Sequence, residues 1–150
     1  VVSRLLSHGW LEEMTMTLLR TKLIRDLRKA DAHGHFDIYY PHVAGLTEGT
    51  CVDVHAKLMI VDDEWLRIGS SNLSNRSMGL DTECDAVVEA AGREDVRRVV
   101  RAFRDGLLAE HLGVPRESVE RAVEGRGSLH AAIGSLGSTQ RSLRRFEDVE

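Results

Sequence analysis

Cysteine is scarce: Cys51 and Cys84 are the two in 150 residues, too few for the disulfide framework of a small secreted domain. A reduced pair is the expectation. No apolar run approaches the roughly 20 residues of a membrane span, and no charged-then-apolar leader marks a secretory signal. Surplus positive charge is missing too. Lys and Arg number 20 against 24 Asp and Glu, a net charge of −4. Nothing therefore marks a general nucleic-acid surface, although an acidic protein can hold a local basic pocket. Cys and His do not recur at zinc-ligand spacing, and there is no internal repeat. The chain begins Val-Val-Ser-Arg, without an initiating Met. We read it as part of a longer protein, so a missing leader carries no weight. The expected location is cytoplasmic or peripheral to a membrane.

What is present is ordinary for a folded domain: 42% apolar and 29% charged residues, in a length that can bury a core. Residues 10–30 read as a helix. Met16, Leu19, Leu23, Leu27 and Ala30 fall on one stripe, and Arg20, Lys22, Arg25, Arg28 and Lys29 lie largely elsewhere, on a solvated face. The late basic residues complement the negative end of the helix dipole. Gly34 follows as a C-cap candidate. Residues 36–40 read as a short strand that Pro41 stops, so helix, tight loop and strand form an α/β unit. His33, His35 and His42 cluster in sequence, but no carboxylate stands ready to complete a metal site, and none is expected. Residues 42–50 form a loop with Gly45 and Gly49.

Further on, residues 73–81 read as a polar loop and 82–90 as a strand. A helix opens at Glu94-Asp95, with Val96, Val99, Val100, Phe103 and Leu107 as its buried stripe and Gly113-Val114-Pro115 as its stop. Pro115 suits the first position of a further short helix ending at Gly125. From Gly125 on, four glycines and four serines break up regular structure, leaving room for short helices at 128–133 and 139–146. Arg141, Arg144 and Arg145 read first as a solvated face and second as a lipid-headgroup patch.

The informative stretch is Val52–Glu83. His55 and Lys57 stand two apart, so on an extended strand they share a face. Leu58-Met59-Ile60-Val61 reads as a buried strand, Asp62-Asp63 as a turn, and residues 65–68 as a returning strand that Gly69 ends. Polar groups thereby collect at one end of two buried strands. Imidazole, ammonium, hydroxyl and carboxamide at one mouth make an anion site, and a phosphate suits it best. Taken singly, each residue has an everyday explanation in turns or satisfied histidines. Taken jointly, at these spacings, the functional reading prevails.

The pattern His55-x-Lys57-x4-Asp62-x6-Gly69-Ser70-x-Asn72, with Glu83 beyond it, resembles the HKD signature of the phospholipase D superfamily. Gly9-Trp10-Leu11-Glu12-Glu13, Tyr39-Tyr40-Pro41 and Asn75-Arg76-Ser77-Met78-Gly79-Leu80-Asp81-Thr82-Glu83 extend the likeness to the C-terminal half of bacterial phospholipase D/transphosphatidylase-like proteins. It covers roughly residues 1–112, taken as a catalytic half-domain, with 113–150 as a helical or irregular extension.

The resemblance implies an α/β fold, a mixed β-sheet flanked by helices, as one half of a two-lobed molecule. It implies phosphodiester cleavage in a phospholipid through a phosphohistidine, without a metal or other cofactor. His55 is then nucleophile or general acid. Lys57, Ser70 and Asn72 face phosphate oxygens. Glu83 holds the second imidazole nitrogen, with Asp81 as the alternative. Asp62 lies on the opposite strand face from Lys57, so we assign it, with Gly69, a structural role. One histidine cannot stand on both sides of a phosphorus atom. A second HKD half, from the rest of a longer chain or from a homodimer mate, is therefore the expected partner beside the phospholipid. A nuclease of the same superfamily, acting as a homodimer, is less favoured by the charge. A catalytically incomplete half-domain is the remaining alternative.

Overall fold

Two tight constraints lay out the strands: the Asp62-Asp63 turn, and a proline that strand pairing must avoid. The computed structural model describes residues 1–4, 10–47 and 49–146. Half of the expected strand end and loop at 1–8, residues 5–8, lies outside that range, as does the side chain of Met16. The described residues form five helices and two small antiparallel sheets, an α/β arrangement. They divide into two compact units, Val1–Val54 with Ala109–Glu150, and His55–Leu108.

In the first unit, β1 (Tyr39–Val43) pairs antiparallel with β5 (Arg141–Arg145), with Pro41 opposite Leu143. Pro41 thus sits at the centre of a strand that it was expected to stop. Phe146 N–H donates to Ile38 C=O and Ala44 N–H to Gln140 C=O. By the two-residue period, the nitrogen of Pro41 therefore faces the other edge and costs no β5 bond. Residues 139–146, expected as a helix, form β5 because β1 offers a ladder and Leu143 a buried position. The helix α4 (Arg116–Arg126) starts after Pro115 at its N-cap and ends on Gly127 at φ 64°. Ser128 caps α5 (Leu129–Ser135) through Ala131 N–H.

The helix α1 (Trp10–Ala30) turns the other way from its hydrophobic pattern. Leu19 and Leu23 are each 59% exposed and Leu27 40%, while Ile24 is 3% exposed. The inward row is Arg20, Ile24 and Arg28, one turn apart. Arg20 donates to Ser3 C=O (2.8 Å) and Arg4 C=O (2.6 Å) and lies 4.4 Å over the Phe146 ring. Arg28 donates to Phe146 C=O and approaches Asp37 at 3.7 Å. The reason is local: the surface under α1 offers carbonyl oxygens and a carboxylate, which a guanidinium satisfies and a leucine does not.

Asp37, 1% exposed in its side chain, gathers that unit's polar partners. Arg145 pairs with it, and His130 Nδ1 stands 3.7 Å away. Tyr39 Oη lies 3.1 Å from His130 Nδ1, and His130 Nε2 lies 2.8 Å from His35 C=O. A bond to that carbonyl puts the ring proton on Nε2, so Nδ1 accepts from Tyr39.

The second unit holds the sheet β2 (Leu58–Val61), β3 (Trp65–Gly69) and β4 (Asp85–Glu89), in that order, all antiparallel. Asp62 and Asp63 adopt φ 53° and 56°, and Glu64 N–H donates to Val61 C=O at 2.9 Å. Two successive left-handed residues under that bond are a type I′ turn, which aspartate tolerates. The turn is tied to α3 (Glu94–Leu112) by a row of ion pairs. Arg97 binds Glu64, Arg104 binds Asp63, and Arg101 reaches Asp63 at 3.3 Å. Satisfying that row sets the rotation of α3. Of the expected stripe, Val100 is fully buried, Val99 is 66% exposed, and Phe103 and Leu107 are each 37% exposed.

The central strands are also less buried than expected. Register puts Ile60, Leu66 and Val88 on one face and Met59, Arg67 and Val87 on the other. Leu66 is buried, whereas Met59, Val61, Trp65 and Val87 are all exposed. The strands are apolar on both faces, as in sheets covered on both sides, and within this unit Met59, Val61, Trp65 and Val87 stay open.

Asp37→Ala would leave two guanidinium groups without their shared carboxylate. The expected loss is about 2 kcal/mol in urea unfolding; an unchanged midpoint would remove Asp37 from the stabilising contacts.

Candidate active site

Gly69 closes β3 where the backbone of β4 crosses closest. A Cβ built on Gly69 would stand 1.8 Å from Asp85 Oδ1 and 2.6 Å from Cys84 C=O, so no larger residue fits without moving β4. This approach lets the next residue pair with β4. Ser70 N–H donates to Cys84 C=O (3.1 Å), and Cys84 N–H donates to Ser70 Oγ (3.0 Å). Ser70 Oγ in turn donates to Glu83 Oε2 at 2.6 Å. Ser71 is buried and donates to Asp85 Oδ2, which also accepts from Arg67 Nη2 at 2.9 Å. Gly69 N–H donates to Lys57 C=O at 3.1 Å, which fastens the His55–Lys57 segment to the same corner.

His55 and Lys57 precede β2 and lie outside any strand, and both belong to the second unit. Lys57 Nζ lies 2.8 Å from His55 Nε2 and 2.9 Å from His55 C=O. An ammonium can only donate, so Nε2 is the acceptor and the ring proton sits on Nδ1. The structure thus brings His55 to Lys57 and Ser70 to Glu83, two bonded pairs. Among the described residues no hydrogen bond joins Glu83 to His55. Asn72 is exposed, one residue beyond buried Ser71. Asp81 forms an ion pair with Arg76 at 3.0 Å. Asp62 holds the first left-handed position of the turn, and its neighbour Asp63 supplies the carboxylate that reaches α3.

Two groups important to this corner were not singled out from sequence. Ser77 adds a second hydroxyl bond to Glu83, and Asp85 joins Ser71 to Arg67. The signal was available for Asp85: it stands two residues after Glu83, and so on the same side of an extended segment. Hydrogen bonds from Ser70 and then Ser77 hold the Glu83 carboxyl below the ordinary glutamate range, helped by the charge on Lys57. Bonds from Ser71 and Arg67 do the same for Asp85. The corner thus carries two anionic carboxylates beside a cation, a hydroxyl and an imidazole. It can bind an oxyanion through Lys57 and exposed Asn72, and it can present a neutral imidazole nitrogen to an electrophile.

Among the described residues, no group of three or more His, Cys, Asp and Glu is placed to hold a metal ion. His33 and His35 have ring centroids 5.8 Å apart, and His42 lies on β1. Cys51 and Cys84 are both thiols.

The family model described as Phospholipase D matches residues 28–126. This chain belongs to the phospholipase D family. It is 43% identical over 67 residues to phospholipase D alpha 1 of Spuriopimpinella brachycarpa, covering 41% of this chain and 8% of that protein. Phospholipase D alpha 1 of Nicotiana tabacum is 39% identical over 71 residues, covering 43% and 9%. The Zea mays protein of the same name is 38% identical over 74 residues, covering 45% and 9%. The chain matches under a tenth of these relatives' length. No solved structure matches. Among the described residues no helix is long and apolar enough to cross a membrane.

Gly69→Ala is expected to push β4 away and to cost about 2 kcal/mol in urea unfolding; full stability in that variant would mean that the corner tolerates a Cβ. Asp85 gives a pH signature as well. Its folded carboxyl titrates below the unfolded value of 3.8. It therefore contributes stability above about pH 4 that is lost as the pH falls through the lower folded value. In an acid titration followed by circular dichroism, Asp85→Asn should flatten the fall in stability below about pH 4. An unchanged slope would assign that acid sensitivity to other carboxyls.

Proposed function

We propose that this chain supplies one HKD motif of a phospholipase D-type phosphodiesterase or phosphatidyltransferase acting on phospholipids. Residues 1–112 are the catalytic half-domain and 113–150 its extension. The observation that carries the reading is the bonded pair His55 Nε2–Lys57 Nζ, beside the Ser70–Glu83 pair, in a member of this family. The relatives' name, phospholipase D, supports the substrate class.

In this reading Lys57 has two positions. Without substrate its ammonium caps the lone pair on Nε2. A phosphodiester's non-bridging oxygens are better acceptors for that charge, so substrate draws Lys57 onto phosphate and uncovers the imidazole. His55 Nε2 then either forms a bond to phosphorus as the P–O bond to the alcohol breaks, the leaving oxygen taking its proton from the second histidine, or first takes up a proton from solvent and, as imidazolium, gives it to the leaving oxygen. The second histidine, on the other HKD half, takes the complementary role. Water or an acceptor alcohol next attacks phosphorus, its proton passing to the histidine that acted as acid, and the P–N bond breaks. Asn72 and Ser70 add donors to the oxygens that gain charge. Glu83, anionic under its two hydroxyl bonds, balances the imidazolium once substrate rearranges the corner. Asp62 and Gly69 hold the hairpin and its close end. No step calls for a metal or organic cofactor.

A nuclease is the second reading from the same signature. The net charge of −4 and the names of the relatives favour the lipid.

The test is release of alcohol from a short-chain phosphodiester in excess chelator. It is run on this chain alone and mixed with a polypeptide carrying a second HKD motif. Turnover should survive chelator and fall at least about 1,000-fold in His55→Ala, and Lys57→Met should lose roughly 100- to 1,000-fold, the scale of a lost oxyanion donor. A His55→Ala variant that turns over normally, or inertness of both samples with the fold intact, overturns the assignment.

A further inference from the structure

Between Ser71 and Glu83 the chain makes an excursion that the chemistry above does not use. Three of its large apolar side chains are exposed: Leu73 at 88%, Leu80 at 84% and Met78 at 56%. Water-facing leucines are normal singly. Here three belong to one short rim, separated by Ser, Asn, Arg and Gly. The rim is also held in shape. Ser74 caps the short helix α2 (Asn75–Gly79) by accepting from Ser77 N–H, Met78 N–H donates to Ser74 C=O (2.9 Å), and Leu80 N–H donates to Arg76 C=O (2.8 Å). The Arg76–Asp81 ion pair, 3.0 Å long, closes its base. The leucines are therefore displayed by a bonded loop.

The position of the rim selects what it meets. It leaves the site at Asn72 and returns at Glu83, the residues read as phosphate donor and imidazole partner. In a phospholipid the phosphate lies only a few ångströms outside the acyl boundary, and apolar side chains that dock on a bilayer sink about 5–10 Å. Apolar side chains on a loop that starts and ends at residues read as phosphate-site groups match that spacing. The alternation of apolar with small polar residues suits the mixed headgroup layer.

Resting on the phospholipid reading above, we propose that the Leu73–Leu80 rim docks the site on a phospholipid bilayer. Leu73, Met78 and Leu80 enter the acyl boundary while the lipid's phosphate stays level with Lys57 and Asn72. The rim acts in positioning the site on its substrate's surface and takes no part in bond making.

The test is flotation of the full chain with phosphatidylcholine vesicles, which needs no turnover. Wild type and His55→Ala should partition alike. L73Q/L80Q, with its circular dichroism unchanged, should partition about ten-fold less. Val87→Gln, on the exposed sheet face, should behave as wild type. Equal partitioning of wild type and L73Q/L80Q overturns the proposal. So does wild type that fails to float, an equal loss in Val87→Gln, or a loss of self-association in L73Q/L80Q with vesicle binding intact, which would give the rim to a second copy of the chain. A short-chain phosphodiester in solution separates the two readings. If the chain turns it over and L73Q/L80Q still floats normally, the enzyme reading stands and the rim proposal fails. If flotation depends on the rim but no phosphodiester is cleaved even when a second HKD motif is supplied, docking stands and the enzyme reading fails.

Discussion

Gly69 passes so close to the start of β4 that a single added carbon would overlap Asp85, and the polar corner depends on that approach. Because the two backbones meet there, Ser70 exchanges bonds with Cys84, and its hydroxyl is aimed at Glu83. Because Ser70 holds Glu83, a carboxylate 13 residues away in sequence comes to the hairpin that carries His55 and Lys57. The bond from Gly69 N–H to Lys57 C=O completes the junction. Loss of the glycine would disturb hydroxyl, carboxylate and ammonium together, though it bears no functional group itself.

A second constraint acts at the other end of the hairpin. Consecutive left-handed aspartates make the turn, and the arginine row on α3 ties it down. The ion pairs are partly exposed, so each is worth little alone. Their geometric effect is larger: they fix how α3 lies on the turn, and the helix accepts exposed Val99 and Phe103 as the consequence. In the other unit α1 makes the same exchange, with Arg20 and Arg28 turned inward and the leucines outward. In both helices, local carbonyl and carboxylate acceptors override the apolar pattern.

The apolar surface left open has two characters. The sheet residues Met59, Val61, Trp65 and Val87 and the α1 leucines lie on regular elements, as do surfaces that a larger fold packs together. Leu73, Met78 and Leu80 instead crown a short bonded loop beside the site. That placement, more than hydrophobicity as such, sets the rim apart.

The sequence by itself determined the family and the identity of the polar groups. The spacing from His55 to Asn72 is a property of the chain, and so are the turn at Asp62-Asp63 and the close of β3 at Gly69, since turn chemistry and strand periodicity are local. It also marked most helix and strand positions, because those follow from patterns within a dozen residues. Only the tertiary structure decided which side of α1 and α3 faces inward, that Pro41 sits inside β1, and that residues 141–145 form a strand. Each depends on a partner distant in sequence: carbonyls at Ser3 and Arg4, acids at Asp63 and Glu64, the ladder between β1 and β5. The pairing of Ser70 with Glu83 and of Asp85 with Ser71 and Arg67 is of the same kind. Periodicity records which residues share a face, whereas the long-range polar partner decides what that face meets.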